Sequence, residues 1–189
     1  MITAREQSNL KSNGEKLKKQ TWIPNKTERN RILLAIGAAI LLLLFGYWTI
    51  HSFPLSFHTR SFKGFFKNYG SYAQFAFFFV LIHYGLMIVL KRNLHQNIGK
   101  QMIIKLSRVT RQWHTPAAIL AIALVIIHIV GAFLYGFKWD FGNISGILAL
   151  LALLPVPISG LLRYRKLDRK WHWGSAISFT ILFMLHSFS

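Results

Sequence analysis

Apolar residues in this chain gather into five long blocks separated by short polar stretches. The blocks cover residues 32–50, 72–90, 116–137, 143–162 and 171–188. Each is close to the ~20 residues that a helix needs to cross the hydrocarbon of a bilayer. Within lipid the backbone must satisfy its own hydrogen bonds, so blocks of this length predict helices. The expected fold class is an all-α integral membrane protein, a bundle of five transmembrane helices. Pro155 and Pro157 fall inside the fourth block and predict a kink there. Thr115 and Pro116 have the form of an N-cap and first helical residue, so the third helix is expected to start there. His114 would then stand just before it.

Composition sharpens this picture. Hydrophobic residues make up 53% of the 189 residues and charged residues 15%, against roughly a quarter charged in a soluble domain. Lys and Arg number 23 and Asp and Glu 5, for a formal net charge of +18. That excess could suggest nucleic acid, but the basic residues are divided among the stretches between apolar blocks and form no single patch. Membrane lipid is the partner they predict.

Lys and Arg total nineteen in residues 1–31, 91–111 and 163–170, and four in the alternate loops. Cationic loops stay inside, so the N-terminus is expected inside and the C-terminus outside. Residues 1–31 read as a basic, disordered cytoplasmic tail and residues 32–189 as the transmembrane domain. No short apolar core with a small-residue cleavage site precedes the first block, so it is expected to remain as an anchor. The expected location is the plasma membrane. Cysteine is absent, which excludes disulfides, thiolate metal sites, iron–sulfur clusters and thioether-linked haem. Five acidic residues, none deep in an apolar block, leave little for acid–base catalysis, and no catalytic residue is assigned.

The histidines carry the chemistry. Of eight, His114 and His128 are fourteen residues apart at the third block, and His172 and His186 are fourteen apart at the fifth. At about 100° per residue, fourteen steps fall roughly 40° short of four turns, so each pair shares one helix face, separated by about 21 Å. Both helices run outward under the expected topology. His114 and His172 then lie at an inner level, and His128 and His186 at an outer level. Each level has the two imidazoles that a six-coordinate haem iron requires.

The flanks repeat too. Arg111-Gln112-Trp113-His114 and Arg169-Lys170-Trp171-His172 each precede thirteen residues and a second histidine. Ala117, Gly131, Ser175 and Ser189 follow the four histidines by three positions, where small side chains would leave room for a macrocycle. Trp113 and Trp171 suit an interfacial aromatic belt, and the basic residues beside them suit topology as readily as propionate contacts. His83 stands alone on the second helix. His51, His58 and His95 belong to helix ends and loops.

This doubled histidine spacing, over roughly Tyr72 to Ser189, resembles the ferric-reductase-like transmembrane family of NADPH oxidases, metalloreductases and the haem subunit of bacterial methionine sulfoxide repair. The resemblance implies two haem b groups, ligated by His114 with His172 and by His128 with His186. It also implies transmembrane electron transfer from a cytoplasmic flavin or quinol to an external acceptor such as ferric iron, oxygen or a partner protein. The sequence departs from that family in having no sixth apolar block and no glycine-rich dinucleotide fingerprint. A flavoprotein or membrane quinol is therefore the expected electron donor, with residues 91–111 and 163–170 as a docking surface for an acidic flavoprotein.

Two other readings compete. A quinol- or ascorbate-linked b-type cytochrome typically spreads four histidines over four helices, and His83 keeps it open. A non-redox membrane scaffold or assembly subunit would use its histidines for interhelical hydrogen bonds.

Overall fold

A computed structural model describes residues 25–52, 57–91, 98–163 and 169–188, all helix or short connection. Six helices follow one another: α1 (Lys26–Ser52), α2 (Arg60–Lys91), α3 (Ile98–Tyr135), α4 (Phe141–Leu153), α5 (Pro155–Arg163) and α6 (Arg169–Ser187). Four segments are long and apolar enough to cross a membrane: α1, α2 to Leu90, α3 from Gln101, and Phe141–Gly160 across α4 and α5. The chain is thus a multi-pass membrane-type helical protein. The fifth apolar block forms α6, whose 19 residues open on Arg169, Lys170 and His172 and are less uniformly apolar.

The helices overrun the apolar blocks, in α2 because its first turns are amphipathic. α2 starts twelve residues before its block. Its first three turns set Phe62, Phe66 and Tyr69 on the buried side, while the interleaved Lys63 and Lys67 stay exposed. Averaging over both faces hides such a helix from a hydropathy reading. α1 likewise starts at Lys26, inside the stretch expected to be a disordered tail. Asn25 caps it, its side-chain oxygen accepting from the Thr27 amide at 3.0 Å. Residues 1–24 of that expected tail lie outside the described residues.

Pro116 does not begin a helix. α3 runs unbroken from Ile98 to Tyr135 with Pro116 inside it, so His114 is a helical residue rather than one preceding the helix. Proline removes one backbone donor, and a transmembrane helix tolerates that where neighbours supply compensation. The turns before Pro116 are held by packing on α2, with Ser107 and Thr110 buried on the shared face. In the fourth block α4 passes into α5 at Leu154, immediately before Pro155; Leu154 keeps a helical conformation (φ −53°, ψ −47°) and its amide donates to the Leu150 carbonyl. Asp140 caps α4, its carboxylate accepting from the Asn143 amide at 2.8 Å.

The helices form two groups. Extended backbone contact joins α1 and α2 to α3, and separately joins α4, α5 and α6 to one another. Among the described residues no comparable backbone contact joins one group to the other; they meet through side chains along a seam. At mid-height Phe77 of α2 packs on Phe179 and Phe183 of α6, at ring centroid distances of 4.9 and 5.4 Å. Ala73, Ala121 and Leu153 complete that cluster. Within the first group, Cβ atoms built on Gly46 and Gly131 would crowd Ile127 and overlap the Phe66 ring. Gly131 therefore serves close packing of α3 on α2, not the clearance for a macrocycle that its spacing from His128 suggested.

Candidate functional site

The four histidines expected to act as ligands fall at two levels along the seam. At one level His128 of α3 and His186 of α6 face each other with ring centroids 6.5 Å apart and planes inclined at 55°. Each ring is held from behind by a neighbouring helix. His128 Nδ1 donates to the Phe66 carbonyl of α2 at 3.0 Å. His186 Nδ1 donates to the Gly142 carbonyl of α4 at 2.9 Å. A carbonyl oxygen can only accept, so Nδ1 carries the proton in both rings and Nε2 carries the lone pair that a metal would take.

Two imidazoles sharing one metal ion, with metal–nitrogen bonds of about 2 Å, would have ring centroids within roughly 6 Å of each other, close to the 6.5 Å of this pair. The carbonyl behind each ring supplies the outer hydrogen bond that metal-ligating histidines almost always make.

The other level is more crowded. His172 is buried. Its Nδ1 donates to the Val156 carbonyl at 3.2 Å and the Ser159 hydroxyl oxygen at 3.0 Å. That again makes Nε2 the acceptor, and the Tyr84 hydroxyl donates to it at 3.3 Å. The Tyr84 ring in turn lies edge-on to His114, 5.9 Å between centroids. His83 stands 5.7 Å from His114, with its Nδ1 3.3 Å from the Thr110 hydroxyl. Tyr84 thus touches both inner histidines. Ligation of iron by His172 requires its hydroxyl to turn away from Nε2.

Neither Tyr84 nor the placement of His83 beside His114 was evident from the sequence. Both residues belong to α2, and no periodicity within α3 or α6 reports on a third helix. Tyr84 does follow Tyr69 by fifteen residues, and each precedes a glycine; this repetition is the one available signal.

The remaining histidines have other partners. His58 Nδ1 donates to the Tyr135 carbonyl at 2.7 Å and caps the end of α3. His51 pairs with the Tyr47 hydroxyl at 3.1 Å, one turn back on α1. His95 lies outside the described residues, as does Ser189. Arg31 of α1 donates to the Gln112 side chain at 2.9 Å and lies 5.4 Å over the Trp113 ring, tying α1 to α3 beside His114. Trp171 is 69% exposed, as an interfacial anchor would be. Lys105, Arg108 and Arg111 are exposed on α3; most of 91–100 and of 163–170, the rest of the expected docking surface, falls outside the described side chains.

Among the described residues no group of three or more His, Cys, Asp and Glu side chains converges as a metal site. The arrangement offers imidazoles in pairs. Comparison with protein-family models, with curated proteins and with solved structures yielded no match.

Proposed function

We propose that the protein is a diheme b-type electron-transfer protein of the plasma membrane. It would pass electrons from a cytoplasmic flavin, flavoprotein or membrane quinol to an extracytoplasmic acceptor such as ferric iron, oxygen or a partner protein. The observation that carries this reading is the outer pair: His128 and His186, 6.5 Å apart across the seam, each with Nδ1 hydrogen-bonded to a helix carbonyl. His114 and His172 are the inner ligands on this reading. Their fourteen-residue offsets from the outer pair and the matching Nδ1 anchor of His172 support the assignment.

Bound haem would supply one-electron chemistry at iron, while the chain supplies position and dielectric. His128 and His186 would hold one haem, and His114 and His172 the other, each through two imidazoles. Phe77, Phe179 and Phe183 fill the seam between the levels and keep water out of it. α6 runs alongside α3 past both levels, which supports five crossings, and the distribution of basic residues supports the N-terminus inside and the C-terminus outside.

A reduced-minus-oxidised visible spectrum of the purified protein, with pyridine haemochrome quantitation, tests the proposal. Sharp b-type bands with about two haems per chain are the expected result. A colourless protein from haem-replete cells would overturn the proposal in favour of the scaffold reading. His83 beside His114 is the observation that favours the quinol-linked alternative. Rapid reduction by quinol in detergent, with no flavoprotein present, would select it.

A further inference from the structure

The helices that hold His172 and His186 from behind carry a short repeat of their own. Ile144-Ser145-Gly146 in α4 recurs as Ile158-Ser159-Gly160 in α5, fourteen residues on. That is the separation of His172 and His186 on the antiparallel α6. The two copies meet the two histidines in the same way. At the outer copy, His186 Nδ1 donates to the Gly142 carbonyl, three residues before Ser145 and four before Gly146. The Ser145 hydroxyl donates to that same carbonyl at 2.9 Å, and its oxygen lies 3.5 Å from His186 Nδ1. At the inner copy, His172 Nδ1 donates to the Val156 carbonyl, again three residues before the serine and four before the glycine. The Ser159 hydroxyl donates to Val156 at 2.9 Å and accepts from His172 Nδ1 at 3.0 Å.

In a helix the carbonyl of residue n takes its first hydrogen bond from the amide of residue n+4. Here that residue is glycine. The imidazole reaches the second lone pair by lying across the place where a Cβ would stand. A Cβ on Gly146 would come within 2.9 Å of His186 Cε1. On Gly160 it would sit 3.6 Å from His172 Cε1, an ordinary contact. α2 repeats the geometry for His128: Phe66 supplies the carbonyl, and a Cβ on Gly70, four residues later, would meet the ring at 2.9 Å. Glycine weakens a helix relative to alanine, so at Gly146 and Gly70 the absent Cβ serves the imidazole rather than the helix.

We propose that Ser145–Gly146 and Ser159 are positioning residues of a repeated imidazole cradle, which locks His186 and His172 with the proton on Nδ1 and presents Nε2 to a haem iron. The proposal deepens the reading above and rests on it only for the identity of the metal. The two copies differ in emphasis. The outer one depends on the missing Cβ of Gly146, the inner one on the close hydroxyl of Ser159.

The test uses the full chain in detergent micelles with ¹⁵N-labelled histidine, without haem and after haem titration. Gly146→Ala is expected to remove the Nδ1-protonated signature of His186 and to weaken outer-haem binding at least tenfold, with an altered low-spin spectrum. Gly160→Ala is expected to be tolerated. Ser159→Ala is expected to disturb His172 alone. Gly37→Ala, which has open space around the added carbon, controls for helix content.

Tautomer signals and haem spectra that superimpose on wild type in both Gly146→Ala and Ser159→Ala would overturn the cradle and leave the haem reading intact. Nδ1-protonated signals lost as expected, in a wild-type protein that takes up no haem, would support the cradle and overturn the haem reading.

Discussion

His128 and His186 each commit an Nδ1 hydrogen to a carbonyl, of α2 and of α4 respectively. A buried polar group left without a partner costs on the order of 1–3 kcal/mol. Anchoring Nδ1 therefore stabilises the rotamer and the tautomer together. Replacing His128 or His186 with Ala is expected to remove about half of the haem and leave the inner site's bands in place, as pyridine haemochrome and redox titration would read. Unchanged stoichiometry in both variants would reject the outer assignment.

Tyr84 makes the opposite kind of contact, donating to the nitrogen that His172 would offer to iron. A net hydrogen bond is worth about 1 kcal/mol, so the hydroxyl competes weakly with ligation. Tyr84→Phe is expected to tighten inner-site haem binding by about two- to tenfold in a titration of the apoprotein, with the outer site unmoved. Looser inner binding would mean that Tyr84 helps to hold the haem.

At the scale of elements, proline enters two helical segments. Pro116 lies within α3, and Pro155 follows Leu154, where α4 passes into α5 with the backbone still helical. α3 has long helical arms on both sides of Pro116, packed on α2. α4 and α5 are only 13 and 9 residues long, and Pro155 and Pro157 remove two donors in succession. Just beyond that junction, Val156 and Ser159 hold His172. Pro155→Ala restores a backbone donor at the junction of α4 and α5. It is expected to leave thermal stability within a few degrees of wild type while displacing Val156 and Ser159, so that inner-haem binding weakens and outer-haem binding does not. Equal loss at both levels would show that the junction orients α4 as a whole.

At the scale of the molecule, two helix groups meet along a seam held by side chains rather than by backbone contact. α3 and α6 run parallel on opposite sides of it, and each carries one histidine to each level. A flat macrocycle binding between them would bridge the groups, so haem is expected to raise the melting temperature of the detergent-solubilised protein. Orientation can be checked cleanly because the chain has no cysteine. Lys138→Cys is expected to react with a membrane-impermeant maleimide in intact cells, and Lys105→Cys only after permeabilisation. The reverse pattern would invert the topology and exchange the inner and outer sites.

Much of this was legible in the sequence, for reasons of local geometry. Twenty apolar residues in a row require a helix in lipid, and fourteen residues return a side chain to nearly the same helix face. With the basic-residue topology, those facts placed four histidines at two levels, although His114 was expected just before its helix and lies within it. Helix lengths were less legible, because the first turns of α2 and the turns of α3 before Pro116 set polar and apolar faces side by side and average out. What stands behind each imidazole was decided only by the tertiary structure. The carbonyls of Phe66, Gly142 and Val156 are 62, 44 and 16 residues from the histidines they hold, and a backbone acceptor leaves no side-chain signature. The Ile-Ser-Gly repeat was present in the sequence throughout. It gained meaning only once antiparallel packing set α4 and α5 against α6, because a missing Cβ acquires a purpose only from what lies across it.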